Sequence, residues 1–222
     1  MGLSLRRFTF YFLGIFILTF GIALSIRSNL GTAPFDALLV GMYRSFGLTI
    51  GSWEIILGLF LVLCNAVAGR RRPEFLALLT SFITGAGIDL WMYLLTEWLH
   101  PETIFSRIIC LAIGIVVGGL GIAVNLQADF APNPLDRSMQ VVTSLTGLSF
   151  AISRALISIV LVLIAFIFGG PIGVGTIIST FFSGVMINLF VPLVAKLDRK
   201  HTQEGVSSWN QGIESESKAD SD

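Results

Sequence analysis

Six stretches of this chain are long, apolar and almost free of charged side chains. They cover residues 8–26, 52–68, 75–95, 108–126, 155–168 and 176–195. A helix of about 20 apolar residues crosses the hydrocarbon core of a bilayer. Because backbone polar groups in lipid must be satisfied internally, only helices or closed barrels can span it. The sequence therefore predicts an all-α, polytopic membrane protein with about six spanning helices, the fifth reaching full length only if it begins near Phe150.

Composition identifies the lipid bilayer as the expected partner. The chain is 54% hydrophobic and only 13% charged, whereas soluble domains average about 25% charged residues. The formal net charge is zero, which gives no basis for nucleic-acid binding. The first apolar stretch follows two arginines, as in a secretory signal. Its length and its recurrence a hundred residues later favour a spanning helix instead.

The chain contains an internal repeat. A shift of 100 residues aligns 14–69 with 114–169 without a gap, and the matches include Gly-Ile-Ala at 21–23 and 121–123 and a Pro-x-Asp at Pro34 and Pro134. We therefore predict two homologous membrane repeats, residues 1–100 and 101–196, followed by a polar tail at 197–222. The tail is poor in apolar residues, so we expect it to be disordered and cytoplasmic.

Each repeat also contains a short segment, Pro34–Phe46 or Pro134–Thr146. Thirteen helical residues extend about 20 Å, too little to cross the core, so we expect re-entrant or half helices. Three crossings per repeat place Arg70–Arg72, Lys196 and Lys200 on the cytoplasmic side, as the positive-inside rule requires. An odd number of crossings orients the repeats oppositely, which predicts an inverted repeat with both termini in the cytoplasm of a bacterial inner membrane.

The short segments begin like helices. Thr32 or Asn133 lies near the cap, a proline follows, and Asp36 or Asp136 falls in the first turn. There the free N–H groups and the helix dipole stabilise a negative charge. The aspartates are therefore either helix caps or members of an ion or substrate site at a helix end inside the membrane. The two interpretations are compatible.

Further polar positions recur at the ends of the long helices. Arg27 and Asn29 end the first one, so Arg27 is expected either to snorkel to the interface or to pair with Asp36. Asn125, Gln127 and Asp129 occupy the matching positions in the second repeat, where Arg137 is the expected partner.

A lone carboxylate, Asp89, lies among apolar residues in the third long helix and aligns with Asn188. It is either a functional group or a helix–helix hydrogen-bonding residue. Glu54 and Arg154 also correspond, but both lie near helix starts and are expected at the interface.

Nothing in the sequence points to an enzyme. The zinc-protease motif His-Glu-x-x-His and the hydrolase motif Gly-x-Ser-x-Gly are both missing from the sequence. Cys64 and Cys110 lie in apolar helices, where an inert thiol is usual. We expect no catalytic residue, cofactor or metal site.

The stretch Ser-Asn-Leu-Gly-Thr-Ala-Pro-Phe-Asp at 28–36, followed by Gly-Leu-Thr-Ile-Gly at 47–51, resembles the bacterial YczE/YyaS/YitT-like membrane proteins. The likeness extends over about residues 8–195. It implies a multi-pass inner-membrane protein of an uncharacterised family with an assumed transport role. The second repeat departs from the motif by reading Ala-Pro-Asn-Pro-Leu-Asp at 131–136.

Two functions fit these observations. The first is a secondary transporter or exporter of a small solute or ion, and the second is a membrane accessory or scaffold protein without transport activity. Pairing of two copies and the identity of the substrate are left open. The candidate residues for a substrate or ion pathway are Arg27, Asn29, Asp36, Asp89, Asn125, Gln127, Asp129, Asp136, Arg137 and Asn188.

Overall fold

A computed structural model describes residues 5–128, 130 and 133–219, with side chains for residues 7–128, 130 and 133–196. All regular structure in these residues is helical. The helices are α1 (Leu5–Arg27), α2 (Pro34–Phe46), α3 (Ile50–Ala68), α4 (Phe75–Leu94), α5 (Ile104–Leu126), α6 (Pro134–Thr146), α7 (Phe150–Ile167) and α8 (Val174–Ala219).

The helix boundaries agree with the local sequence signals. Six of these helices, all except α2 and α6, have the length and apolarity to cross a membrane. The two short helices begin at their prolines and end before Gly47 and Gly147, both of which adopt positive φ. Helix α7 does begin at Phe150, because the Ser149 side chain caps it by accepting a hydrogen bond from the Ile152 N–H.

Helices α1 and α5 form the most extensive helix pair, and they run antiparallel. Gly14 of α1 lies against Asn125, Leu18 against Gly121, and Gly21 against Gly118 and Gly114. Residue numbers therefore rise along α1 as they fall along α5. Small residues allow the two backbones to approach closely, so that dispersion contacts hold the pair together in lipid.

The other helices pack around this pair. Helix α4 contacts α1, and α8 contacts α5. Each short helix packs on a long helix that is distant in sequence, α2 on α7 and α6 on α3. The short helices therefore connect the N-terminal and C-terminal parts of the chain.

The two short helices differ in burial. Helix α2 is apolar and forms the centre of the largest core cluster, with Ala37, Leu39 and Val40 almost fully enclosed. Helix α6 is polar and buries only Pro134, Ser138 and Met139. The sequence predicts that its polar side chains face protein or a wet cavity, and several of them line a cavity described below.

The outer surface of the long helices is apolar. Large exposed side chains include Phe60 on α3, Phe166 on α7 and Phe181 on α8. Contiguous apolar surface of this kind is unfavourable in water and suits contact with acyl chains. The molecule is therefore built as a membrane protein.

Helix α8 continues beyond its apolar part. Only residues 174–196 have the hydropathy of a span, and the helix extends to Ala219, within the segment 197–222 where the sequence predicts disorder. Disorder of that segment in solution stays a prediction.

The close α1–α5 contact predicts a specific sensitivity to added volume. In Gly21→Ala, the new methyl group would clash with the Gly118 backbone, which has no flexible end that can move aside. We expect a loss of about 1–3 kcal/mol, seen as a lower Tm in detergent. The control is Gly184→Ala, where the added methyl meets nothing within 4 Å and the Tm is expected to stay equal or rise. Equal losses in both variants would contradict this account of the contact.

Candidate functional site

The N-terminal ends of both short helices approach one stretch of α3. The Asn133 amide, at the cap of α6, lies within hydrogen-bonding reach of the Glu54 carboxyl. The Asn65 Nδ2 donates to the Pro134 carbonyl oxygen at 3.0 Å. The Asp36 carboxyl, in the first turn of α2, lies within electrostatic range of Glu54. Two helix N-termini and two carboxyls therefore meet at α3.

Glu54 is the most enclosed charged residue of this group. Its side chain is only 2% exposed, and its Oε1 atom has no hydrogen-bond partner. Burying a carboxyl with one oxygen unsatisfied is costly, and a second carboxyl nearby adds to that cost when both are ionised. A residue retained at such a cost is a candidate for a functional role.

Asp36 is half-buried and lines a cavity of about 90 Å³. Ala33 and residues of α1, α5 and α8 form the rest of its wall, including Ser25, Gly118 and Ser179. The Ser179 hydroxyl is buried without a partner. Within the described part of the chain, no hydrogen bond or ion pair reaches the Asp36 carboxyl. The wall of the cavity thus contains two polar side chains, Asp36 and Ser179, that lack a hydrogen-bond partner among the described residues.

The expected pairing of Arg27 with Asp36 is wrong. The Arg27 guanidinium instead donates to the Met92 carbonyl oxygen at 3.0 Å and to the Thr96 hydroxyl. Both acceptors lie at the C-terminal end of α4, where free carbonyl groups attract a cation. Thr32 lies near the cap of α2, as expected, but Ala33 is the N-cap residue and no side chain caps that helix.

Asp89 acts as a cap for a neighbouring helix. Its Oδ2 accepts a hydrogen bond from the Thr49 hydroxyl at 2.6 Å, and its Oδ1 accepts one from the Gly51 N–H at 2.8 Å. These contacts satisfy the free N-terminal end of α3. A close approach of Gly51 to Gly85 brings the carboxylate within reach. Of the two sequence interpretations of Asp89, the helix–helix hydrogen bond matches this geometry.

The second short helix has a different charge arrangement. Arg137 forms an ion pair with Glu74 and donates to the Gln140 Oε1 at 2.8 Å. Asp136 is exposed on the protein surface and lies within electrostatic range of Arg154. The acid at this position therefore has a cationic partner, whereas its counterpart Asp36 faces another acid.

The remaining predicted site residues are dispersed. Asn125 donates to the Tyr11 carbonyl oxygen at 3.2 Å, and Gln127 caps the C-terminal end of α5. Asn29 adopts positive φ in the exposed turn after α1. Asn188 is exposed on α8. Asp129 lies outside the described residues.

Glu54 is the residue that the sequence reasoning missed. Its place near a helix start led to the expectation of an interfacial side chain. The structure corrects this, because Glu54 is buried and the N-terminal ends of α2 and α6 approach it. One signal could have identified it: Glu54 is the single charged residue within Ile50–Ala68.

Comparison with known proteins identifies the family of this chain. The model of a family of unknown function, DUF6198, matches residues 5–192. The chain belongs to this family. This supports the resemblance to the YczE/YyaS-like proteins drawn from the 28–36 motif.

Two relatives of this DUF6198 protein come from Bacillus subtilis. The uncharacterized protein YyaS is 42% identical over 190 residues, covering 86% of this chain and 94% of the relative. The uncharacterized membrane protein YczE is 34% identical over 187 residues, covering 84% and 86%. A protein of Haemophilus influenzae is 29% identical over 182 residues, covering 82% and 81%. No solved structure matches the DUF6198 chain.

The different surroundings of Glu54 and Asp89 predict opposite effects of the same carboxyl-to-amide change. Glu54→Gln removes a buried acid that has an unsatisfied oxygen, and should raise the Tm in detergent by a few degrees, corresponding to about 1–2 kcal/mol. Asp89→Asn weakens the cap of α3 and should lower stability by about 1 kcal/mol. Thermal unfolding of the two variants in parallel measures both. A stability loss in Glu54→Gln as large as in Asp89→Asn would show that Glu54 is a structural residue.

Proposed function

We propose that this protein is a secondary transporter or exporter of a small solute, without enzymatic activity, coupled to protons or small cations through Glu54 and Asp36. The observation that supports it best is the meeting of two short-helix N-termini with a buried, incompletely bonded carboxyl on α3. Helix ends and unpaired ionisable groups inside a membrane are the usual construction of a transport site.

In this proposal the two repeats are inverted relative to each other in the inner membrane, and both termini are cytoplasmic. Helices α1 and α5 are the first long helices of the two sequence repeats, and they pack antiparallel. Opposite directions of corresponding helices are what an inverted repeat requires, so this packing supports the arrangement. The cavity at Asp36 is lined by Leu18 and Ile22, which precede the end of α1 by five to nine residues. At 1.5 Å per residue, these two residues lie roughly 8–14 Å from that helix end, and Ser25 extends the cavity to about 3 Å from it.

The acid pair suits coupling to a positive species. Glu54 and Asp36 repel each other when both are ionised, so binding of a proton or small cation relieves an unfavourable interaction. The positive ends of the α2 and α6 dipoles lie beside them, and these favour a negative charge when the site is empty. Occupancy of the site would therefore change the forces between α2, α3 and α6.

Transport also needs alternating access to the site. The cavity of about 90 Å³ at Asp36 is smaller than typical ligand pockets, which begin near 300 Å³. A solute therefore enters only if the helices around the cavity separate. We propose that one repeat rocks against the other about the α1–α5 contact, as inverted-repeat transporters do.

Transport is tested with proteoliposomes on a solid-supported membrane, which reports the charge moved after a rapid change of solution. Panels of small cationic, anionic and neutral solutes are applied with and without a pH gradient. We expect at least one class to evoke a current in the wild type that is lost in Glu54→Gln and in Asp36→Asn. The matched control Glu97→Gln removes an exposed carboxyl in the α4–α5 connection and should retain the current.

Two results would contradict the proposal. A folded, reconstituted wild-type protein that gives no current with any class would favour the accessory or scaffold function. A current that persists undiminished in both Glu54→Gln and Asp36→Asn would exclude these carboxyls as the coupling groups.

A further inference from the structure

A second and larger cavity lies between the α3–α4 turn and α6. Its volume is about 290 Å³, close to the lower end of the range for small-molecule sites. Three arginines line it, Arg71 and Arg72 from the turn and Arg137 from α6. The neutral polar residues of the wall are Asn65, Gln140 and Ser144. This cavity is separate from the one at Asp36, with which it shares no lining residue.

The wall of this second cavity carries a net positive charge. Glu74 is the acidic residue of the lining, and it pairs with Arg137. Arg71 and Arg72 are exposed, and within the described part of the chain their guanidinium groups have no hydrogen bond or ion pair. Three cations and one anion leave a net charge of two positive units in the wall. Free guanidinium groups are rigid donors that match the geometry of oxyanions.

The backbone holds these arginines in a specific turn. Arg70 adopts a positive φ of 48°, which is uncommon for a residue other than glycine, asparagine or aspartate. The Arg71 N–H then donates to the Ala66 carbonyl oxygen at 3.0 Å, which folds the turn back on the end of α3. Conformations of this kind are retained where the surroundings or a function require them.

The equivalent turn of the second repeat packs closely against α2. Between α7 and α8 the positive-φ residue is Gly169, and Gly170 packs directly against the Ala37 carbonyl oxygen of α2. Arg44 of α2 donates to the Gly169 carbonyl oxygen at 2.8 Å. In the alignment of the two repeats, Arg70 therefore occupies the position of Gly170, which permits close helix packing.

We propose that Arg71, Arg72 and Arg137 bind a phosphate group. Two unpaired guanidinium groups and one that already holds a carboxylate can surround a tetrahedral dianion, with the Gln140 side-chain N–H available for a remaining oxygen. The cavity is larger than inorganic phosphate needs, so the phosphate belongs to a larger molecule. This site does not depend on the transport activity proposed above.

Two sources can supply that group. The cavity lies where α3 ends and α4 begins, which is the depth of lipid headgroups, and basic pockets between helix ends bind anionic lipids. A soluble phosphorylated molecule would enter from the same side. The recognition chemistry is the same for both, so the experiment separates them by the probe.

Binding is measured by titrating the full-length protein in dodecyl maltoside with three probes. These are dihexanoyl phosphatidic acid, dihexanoylglycerol, which lacks only the phosphate, and inorganic phosphate. We expect phosphatidic acid to bind and dihexanoylglycerol not to bind. The double variant R71Q/R72Q should raise the Kd for phosphatidic acid by about ten- to a hundredfold. Arg107→Gln makes the same change at the start of α5 and should leave the Kd unaltered.

One further variant tests the site in the opposite direction. Glu74→Gln removes the carboxylate that competes for Arg137, and it should lower the Kd severalfold, a gain that a folding defect cannot produce. Competition by inorganic phosphate would assign the site to soluble phosphates as well as lipid, and its failure to compete would assign it to the lipid headgroup. Equal binding of the two dihexanoyl probes, or a Kd that is the same in wild type, R71Q/R72Q and Arg107→Gln, would overturn the proposal.

Discussion

A helix that ends inside a membrane protein leaves N–H groups that water cannot reach, and the arrangement around α2 and α6 follows from that constraint. Each helix begins with proline, which has no backbone N–H, so one fewer free N–H group needs a partner and no helical hydrogen bond is lost. Asn133 satisfies another in α6, through its side chain and the Leu135 N–H. Burial of α2 in the largest core cluster shields its end from lipid. Each short helix is thus fixed by a long helix from the other part of the chain, α7 or α3.

The polar interior divides into groups that stabilise the fold and groups that do not. Asp89 and Arg27 complete the open ends of α3 and α4 with hydrogen bonds at normal distances. Glu54 and Asp36 are less completely satisfied, since the Glu54 Oε1 lacks a partner and, among the residues that the structure describes, neither acid has an ion pair. Proteins commonly retain destabilising groups of this kind where activity needs them. This contrast is why the proposed transport site is assigned to Glu54 and Asp36 rather than to Asp89.

Sequence patterns predicted the helices better than the contacts between them. The bounds of α2 and α6 follow from local signals, namely the proline at each start and Gly47 or Gly147 after each end. The only local signal for the burial of Glu54 is that it is the single charged residue of α3, because burial depends on how α2 and α6 pack against that helix. Likewise Arg27 and Asp36 are near in sequence, but the α4 C-terminus offers the arginine an acceptor that periodicity cannot reveal. The burial of Glu54 and the partner of Arg27 therefore depend on how the helices pack and not on residue type alone.

In the proposed transport mechanism, Asp36 lines a path reachable by water between two oppositely oriented repeats. The most direct measurement is labelling of single cysteines at 36, 71 and 97 by a membrane-impermeant thiol reagent, in cells and inverted vesicles, in a chain lacking Cys64 and Cys110. The account predicts that position 36 reacts, that position 71 reacts only from the cytoplasmic side, and that position 97 reacts only from outside. No reaction at 36 from either side would contradict the path, and reaction at 71 from outside would contradict the topology.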